Sequence, residues 1–295
     1  MEYICYDCPR ACGAKRADGA PAGLCKSAAL PRIARAAPHF GEEPCISGER
    51  GSGAIFFTGC NLRCVFCQNR DISRGQGGKS VSAGELRDIM LRLRDEGVHN
   101  INLVTAAHYV REVERALDGL ELGIPVVWNS SGYESVESLR RLEGLVQVYM
   151  PDYKYTDAAL SKRYSAAADY PAVAAAAIRE MYRQRGAYVL DEGGMMQSGL
   201  LIRHLIMPGQ TENAMNVIDF VADEFPPGSV LFSLMSQYTP MPGLENFPEL
   251  EGRVTAEENE LLIDYMQKRG ITEGYWQETD SATDEMIPDF DGTGV

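Results

Sequence analysis

Positive charge is what this chain is short of. Its 28 lysines and arginines face 42 aspartates and glutamates, and the net charge is −14. Phosphate backbones and anionic membrane surfaces are bound through a basic footprint, so neither nucleic acid nor an anionic membrane is expected as a partner. Long apolar runs are missing as well. Residues 1–9 hold no stretch of signal-peptide length, and no segment approaches the ~18 continuous apolar residues of a membrane span. A cytoplasmic protein is the expectation. No internal repeat is visible. Cysteine, by contrast, is plentiful: there are eight, seven of them in two groups. A reducing compartment keeps thiols reduced, so these are expected to be metal ligands rather than disulfides.

With 295 residues, 45% of them hydrophobic, the chain suits one α/β domain with a small appended module. Apolar, β-rich runs recur at Ala54–Phe57, Ile101–Thr105, Ile124–Trp128, Leu145–Met150, Leu200–Met207 and Val230–Met235, with a further short strand at Gly274–Gln277. Helical patterns fall between them. Ser82 and Glu85 form a capping box ahead of Leu86, Ile89, Met90 and Leu93. Thr211 is placed to cap a second helix, and Thr255 with Glu258 opens a third that Gly270 ends. The stretch Ala166–Ala177 reads as a surface helix. Strand–helix alternation of this kind builds right-handed crossovers and a parallel sheet. The fold expected is a partial or full (β/α) barrel of about six parallel strands, divided as a cysteine-rich extension (1–48), a barrel (49–278) and a tail (279–295).

Residues 59–69, GCNLRCVFCQN, carry Cys60, Cys64 and Cys67 in a C-x3-C-x2-C spacing. An electron-carrying [4Fe–4S] centre is held by four thiolates, so a loop that supplies three leaves one iron open to a small molecule. A structural zinc site would close at four ligands. Near the amino terminus Cys5, Cys8, Cys12 and Cys25 follow C-x2-C-x3-C-x12-C. Four thiolates close a site, which holds either a structural zinc or an auxiliary [4Fe–4S] cluster that passes electrons inward. Cys45 stands alone and is expected to be a small buried residue. Asp152 and Lys154 lie two apart on one face of a strand end. Arg203, inside an apolar strand, needs an anion. His204 points to the other face, as a packing residue.

The three-cysteine loop and its flanking residues resemble the radical SAM superfamily, in the branch of pyruvate formate-lyase activating proteins. The resemblance implies an open six-stranded barrel of the radical SAM type, with S-adenosylmethionine chelated at the open iron and cleaved to a 5′-deoxyadenosyl radical that takes a hydrogen atom. It implies Cys60, Cys64 and Cys67 as iron ligands and Phe66 packed against the cluster or the adenine edge. Asp152 and Lys154 match an element beside the methionyl carboxylate, and Arg203 matches an arginine on the fifth strand. The charges of Arg203 and Asp152 are expected to be held for a ligand rather than for each other. Asn129 and Ser130 match a turn lining the cofactor pocket, with Asn129 where the family has an acidic residue. Thr105–Tyr109 replaces the family's Gly-Gly-Glu element, so the methionine amino group is expected to be held by other carbonyls. Gln237 and Tyr238 close the sixth strand, with Tyr238 against adenine, and Asp191–Gly194 reads as a turn. The implied substrate is a backbone glycine of a glycyl radical enzyme, served by a flavodoxin- or ferredoxin-type reductant. A small molecule or another peptide is the alternative substrate, and a non-enzymatic iron–sulfur electron carrier is the alternative of a different class.

Overall fold

The computed structural model describes residues 2–277 and 288–295. Twelve strands are formed among them: β1 (Glu2–Cys5), β2 (Ala14–Ala17), β3 (Arg32–His39), β4 (Ser52–Phe57), β5 (Lys79–Ser80), β6 (Ile101–Val104), β7 (Val126–Ser130), β8 (Val148–Pro151), β9 (Val189–Leu190), β10 (Met196–Leu205), β11 (Leu231–Met235) and β12 (Gly274–Trp276). β1 and β2 pair antiparallel as a separate ribbon. The other ten form one sheet in the order β12-β11-β10-β8-β7-β6-β4-β3-β5, with β9 beside β10. From β4 to β12 along that path every pairing is parallel. Each of β4, β6, β7, β8 and β11 is buried throughout. Such continuous burial is what a parallel sheet covered on both faces demands of its strands. The architecture is mixed α/β around a largely parallel sheet, and no pairing closes it into a barrel among the described residues.

The six expected strand runs correspond to β4, β6, β7, β8, β10 and β11, and the short seventh to β12. Both capping boxes form, at Ser82 with Glu85 and at Thr255 with Glu258, and Gly270 takes φ +80° just beyond the second of these helices. The Ala83–Asp95 helix buries Leu86, Ile89, Met90 and Leu93, the stripe that its spacing predicts. Thr211 is the first residue of its helix rather than the cap, and no side chain caps that end. The helix expected on the surface at 166–177 instead spans Tyr170–Arg185 and is packed inward, with Tyr170, Ala174, Ala177, Ile178 and Met181 buried. Ala166, in a left-handed conformation, ends the preceding helix, so the alanine-rich run belongs to the next one.

The expected division at residue 48 falls within main-sheet structure. β3 pairs antiparallel with β4, so the amino-terminal part supplies a strand next to the one that carries the cysteine loop. Of the expected tail, 279–287 lies outside the described residues. The rest returns to β3, where Ala36 N–H donates to Thr293 O at 2.9 Å and Gly292 N–H to Ala34 O at 3.0 Å. Among the described residues no helix is long and apolar enough to cross a membrane.

Candidate functional site

The parallel strands present their carboxyl ends to one rim, where such folds place their chemistry. The cysteine loop leaves β4 through Gly59 at φ +94° and is pinned where it passes neighbouring segments. Asn61 Nδ2 donates to Tyr133 O at 2.8 Å, and Val65 N–H donates to Tyr164 O at 2.9 Å. Cys60, Cys64 and Cys67 all line one cavity of about 220 Å³. Two of the sulfurs have a donor: Leu62 N–H at 3.4 Å from Cys60 Sγ and the Ser165 hydroxyl at 3.0 Å from Cys64 Sγ. Burial pushes the Cys60 thiol up to about 12 and raises that of Cys67. Loading a metal must therefore displace thiol protons. Three soft sulfur ligands with N–H and O–H donors behind them fit an iron–sulfur centre.

The opposite wall is charged. Arg203 on β10 donates from Nε to Asp152 Oδ1 at 3.0 Å, from Nη1 to Glu42 Oε2 at 2.8 Å and from Nη2 to Asn129 Oδ1 at 2.7 Å, and Glu43 lies 3.8 Å away. Asp152 also accepts from Lys154 Nζ at 2.5 Å. The expectation that Arg203 and Asp152 are held for a ligand rather than for each other is therefore corrected: they bond directly, with 12% and 16% of their side chains exposed. Burial opposes the charge on Asp152, but Lys154 and Arg203 together hold its carboxyl below the usual range. Burial likewise works against Lys154, and Asp152 with the Cys64 and Cys67 sulfurs outweighs it, raising its pKa. Lys154 Nζ has one hydrogen-bond partner among the described residues, which leaves two of its three N–H donors for a ligand.

Glu42 and Glu43 are the site residues that sequence reasoning missed. Glu42 lines the cavity and accepts from Asn102 Nδ2 at 3.0 Å and Asn129 Nδ2 at 2.9 Å. Glu43 is buried, its Oε2 near Arg203 but without a hydrogen bond, and burial raises its pKa. The only sequence signal was a pair of acidic residues after a strand, 161 positions from Arg203. Other expected residues divide. Asn129, Ser130, Thr105, Gln237 and Phe66 line the cavity. Tyr238 is not among the lining residues: it is buried in the core, donating to Leu250 O at 2.7 Å with its ring 6.1 Å from Phe66. His204 is buried, Nδ1 lies 2.7 Å from Tyr153 O, and burial lowers its pKa to about 4. Asp191–Gly194 is a turn closed by Gly194 N–H to Asp191 O at 3.0 Å.

Cys5, Cys8, Cys12 and Cys25 line a second, small cavity of about 10 Å³ together with Asn61. Arg16 is buried there, with Nη2 3.1 Å from Cys25 Sγ and Nη1 donating to His108 O at 2.6 Å. Burial pushes the Cys5 thiol up to about 11 and raises that of Cys8. Cys45 is a buried lone thiol. Among the described residues no group of three or more His, Cys, Asp and Glu side chains is arranged to hold a metal ion, so the cysteines share cavities without a preformed coordination geometry.

Two comparisons bear on this geometry. The family model described as the radical SAM superfamily matches residues 54–221, more than half of the 295 residues, beginning within β4 and ending within the Thr211–Glu224 helix. An uncharacterized protein of Methanocaldococcus jannaschii is 29% identical over 243 residues, covering 79% of this chain and 66% of that relative, a little under two thirds of it. The chain belongs to the radical SAM superfamily, whose members work with a [4Fe–4S] cluster and S-adenosylmethionine.

Proposed function

We propose that Cys60, Cys64 and Cys67 hold the cluster and that S-adenosylmethionine occupies the cavity they share with Lys154, Glu42, Asn129 and Ser130. The observation that carries this reading is the convergence of three thiols and an ion network on one cavity at the strand ends. When bound, cluster and cofactor supply one-electron cleavage of the sulfonium C–S bond and a 5′-deoxyadenosyl radical that abstracts hydrogen. The chain binds and orients. Lys154 offers its remaining N–H groups to the methionyl carboxylate, and Glu42 offers acceptor capacity to the ammonium group in the place of the missing Gly-Gly-Glu element. Arg203 holds Glu42, Asn129 and Asp152 in register, and Phe66 closes the apolar side against water. Within this reading the substrate is a backbone glycine of a glycyl radical enzyme, the reductant is a flavodoxin or ferredoxin, and the setting is cytoplasmic. Cys5, Cys8, Cys12 and Cys25 form a second site for zinc or an auxiliary cluster.

The test is reductive cleavage of S-adenosylmethionine to 5′-deoxyadenosine and methionine by anaerobically reconstituted protein. Alanine at Cys60, Cys64 or Cys67 should abolish it with the fold retained. A single alanine variant that kept a four-iron spectrum and cleaved the cofactor would remove the ligand assignment. Incubation with candidate glycyl radical enzymes, read by electron paramagnetic resonance, tests the substrate. A stoichiometric 5′-deoxyadenosine yield with no protein radical would favour a small molecule or another peptide.

A further inference from the structure

Behind the cysteine loop runs a hydrogen-bonded chain that cofactor binding leaves unused. Ser165, the last residue of the Ala158–Ser165 helix, donates its hydroxyl to Cys64 Sγ at 3.0 Å. The same oxygen lies 2.8 Å from the Tyr155 hydroxyl. A serine has one hydroxyl proton. With that proton on the sulfur side, Tyr155 must donate to Ser165, so the chain runs one way, from Tyr155 to Ser165 to Cys64. Neither hydroxyl can easily exchange its partner for water, since Tyr155 is 0% and Ser165 3% exposed. Tyr155 is boxed by the rings of Phe66, Tyr164 and Tyr170 at 6.5, 6.4 and 5.2 Å.

A separate contact holds the two ends of this arrangement together. Arg10 donates from Nε to Asn61 O and from Nη2 to Ser165 O, each at 2.9 Å. One guanidinium therefore ties the backbone between Cys60 and Cys64 to the turn that carries Ser165. The spacing between Ser165 and the loop does not rest on the serine–sulfur bond alone.

We infer that Ser165 and Tyr155 set the reduction potential of the iron–sulfur centre to which Cys64 belongs, an inference that rests on Cys64 being an iron ligand. Adding one electron to such a centre increases the negative charge on its ligand sulfurs. A donor at the sulfur stabilises the reduced form more than the oxidised form and raises the potential. Tyr155 polarises the serine hydroxyl and strengthens its bond to sulfur. No proton moves along the chain and no covalent bond changes. The electron comes from the external reductant. Both are positioning residues, because they act through Cys64 and touch neither cofactor nor substrate.

The experiment is an anaerobic dithionite titration of reconstituted protein without S-adenosylmethionine, followed by electron paramagnetic resonance, with iron counted in every sample. Ser165→Ala should keep the wild-type iron content and show a roughly tenfold smaller one-electron reduction constant, a fall of about 59 mV. Tyr155→Phe should fall by less, the double variant should match Ser165→Ala, and Ser165→Thr should restore the wild-type potential. A loaded Ser165→Ala protein with wild-type potential overturns the inference. Should that variant not load iron, a wild-type potential in loaded Tyr155→Phe overturns it equally. Failure of the underlying reading looks different: Cys64→Ala would then retain the wild-type spectrum.

Discussion

Arg203 is the residue on which the charged wall depends, since it is bonded to Asp152, Glu42 and Asn129 at once and lies near Glu43. Replacing it with leucine strands carboxylates in a poorly solvated place, and breaking a buried pair in this way costs about 3–5 kcal/mol. Arg203→Leu should therefore lower both folding stability and S-adenosylmethionine affinity. Lys154→Met leaves Asp152 its bond to Arg203 and removes one charged hydrogen bond, worth about 1.5–3 kcal/mol. Denaturant melts and binding titrations on both variants test the ranking, and an Arg203→Leu protein as stable as wild type contradicts it. A second residue contributes to the response to pH. Glu134 accepts from Trp128 Nε1 at 2.6 Å, and burial raises its pKa to about 7. The unfolded carboxyl releases its proton near pH 4.3. Between about 4.3 and 7 the folded protein holds a proton that the unfolded chain has lost, so this group makes stability fall as pH rises, by a total on the order of 3 kcal/mol. Glu134→Gln should flatten that part of the stability profile. An unchanged slope between pH 5 and 7.5 would place the dependence elsewhere.

Among the elements, the strands of the parallel sheet were legible because burial on both faces writes them as unbroken apolar runs. The two capping boxes were legible because they are local. Elements joined across long separations were not. Nothing near β3 announces that it pairs with β4, or that the turn after it delivers Glu42 and Glu43 to Arg203. Nor does residue 292 or 293 carry a sign of its bond to β3. The alanine-rich run at 166–177 misled for a related reason: small residues in a close-packed helix interface look like those of an exposed helix. The cysteine loop was legible as a motif, but its seat against the amino-terminal segment was not. A Cβ at Gly59 would stand 2.5 Å from Cys25 O and 2.6 Å from Ser27 Oγ, and the residue already takes φ +94°. A left-handed backbone alone costs a non-glycine residue roughly 1–2 kcal/mol. Gly59→Ala should push the loop and the Cys25 segment apart and lower iron loading while the far-ultraviolet circular dichroism stays near wild type. Full loading would mean that this contact yields without consequence.

On the scale of the whole molecule the two cysteine groups are neighbours rather than separate ends of the chain. Asn61, next to Cys60, lines the cavity of the four amino-terminal cysteines, and Arg10 bonds to Asn61 O as well as to Ser165 O. Asp7 bonds to Arg111 at 2.7 Å and its carbonyl accepts from Ser138 at 2.5 Å, so the ribbon is also anchored to the main body away from its thiols. None of these anchors is itself a bond to cysteine sulfur, although the Asp7 carboxylate also accepts from Cys5 Sγ at 3.6 Å. The three-cysteine site should therefore outlast loss of the four-cysteine site. Changing Cys5, Cys8, Cys12 and Cys25 to serine should leave about four irons per chain and a reducible centre. The variant should lose either one zinc or about four further irons relative to wild type. Zinc loss with a lowered melting temperature marks a folding staple. Iron loss with slower reduction of the remaining centre by a protein reductant, at unchanged potential, marks a relay, for which the adjacency through Asn61 is suited. Metal analysis and stopped-flow reduction of the two proteins separate these outcomes. If the variant lost every iron while its circular dichroism stayed that of wild type, the amino-terminal cysteines would have to take part in the first centre, and two independent sites could no longer be maintained.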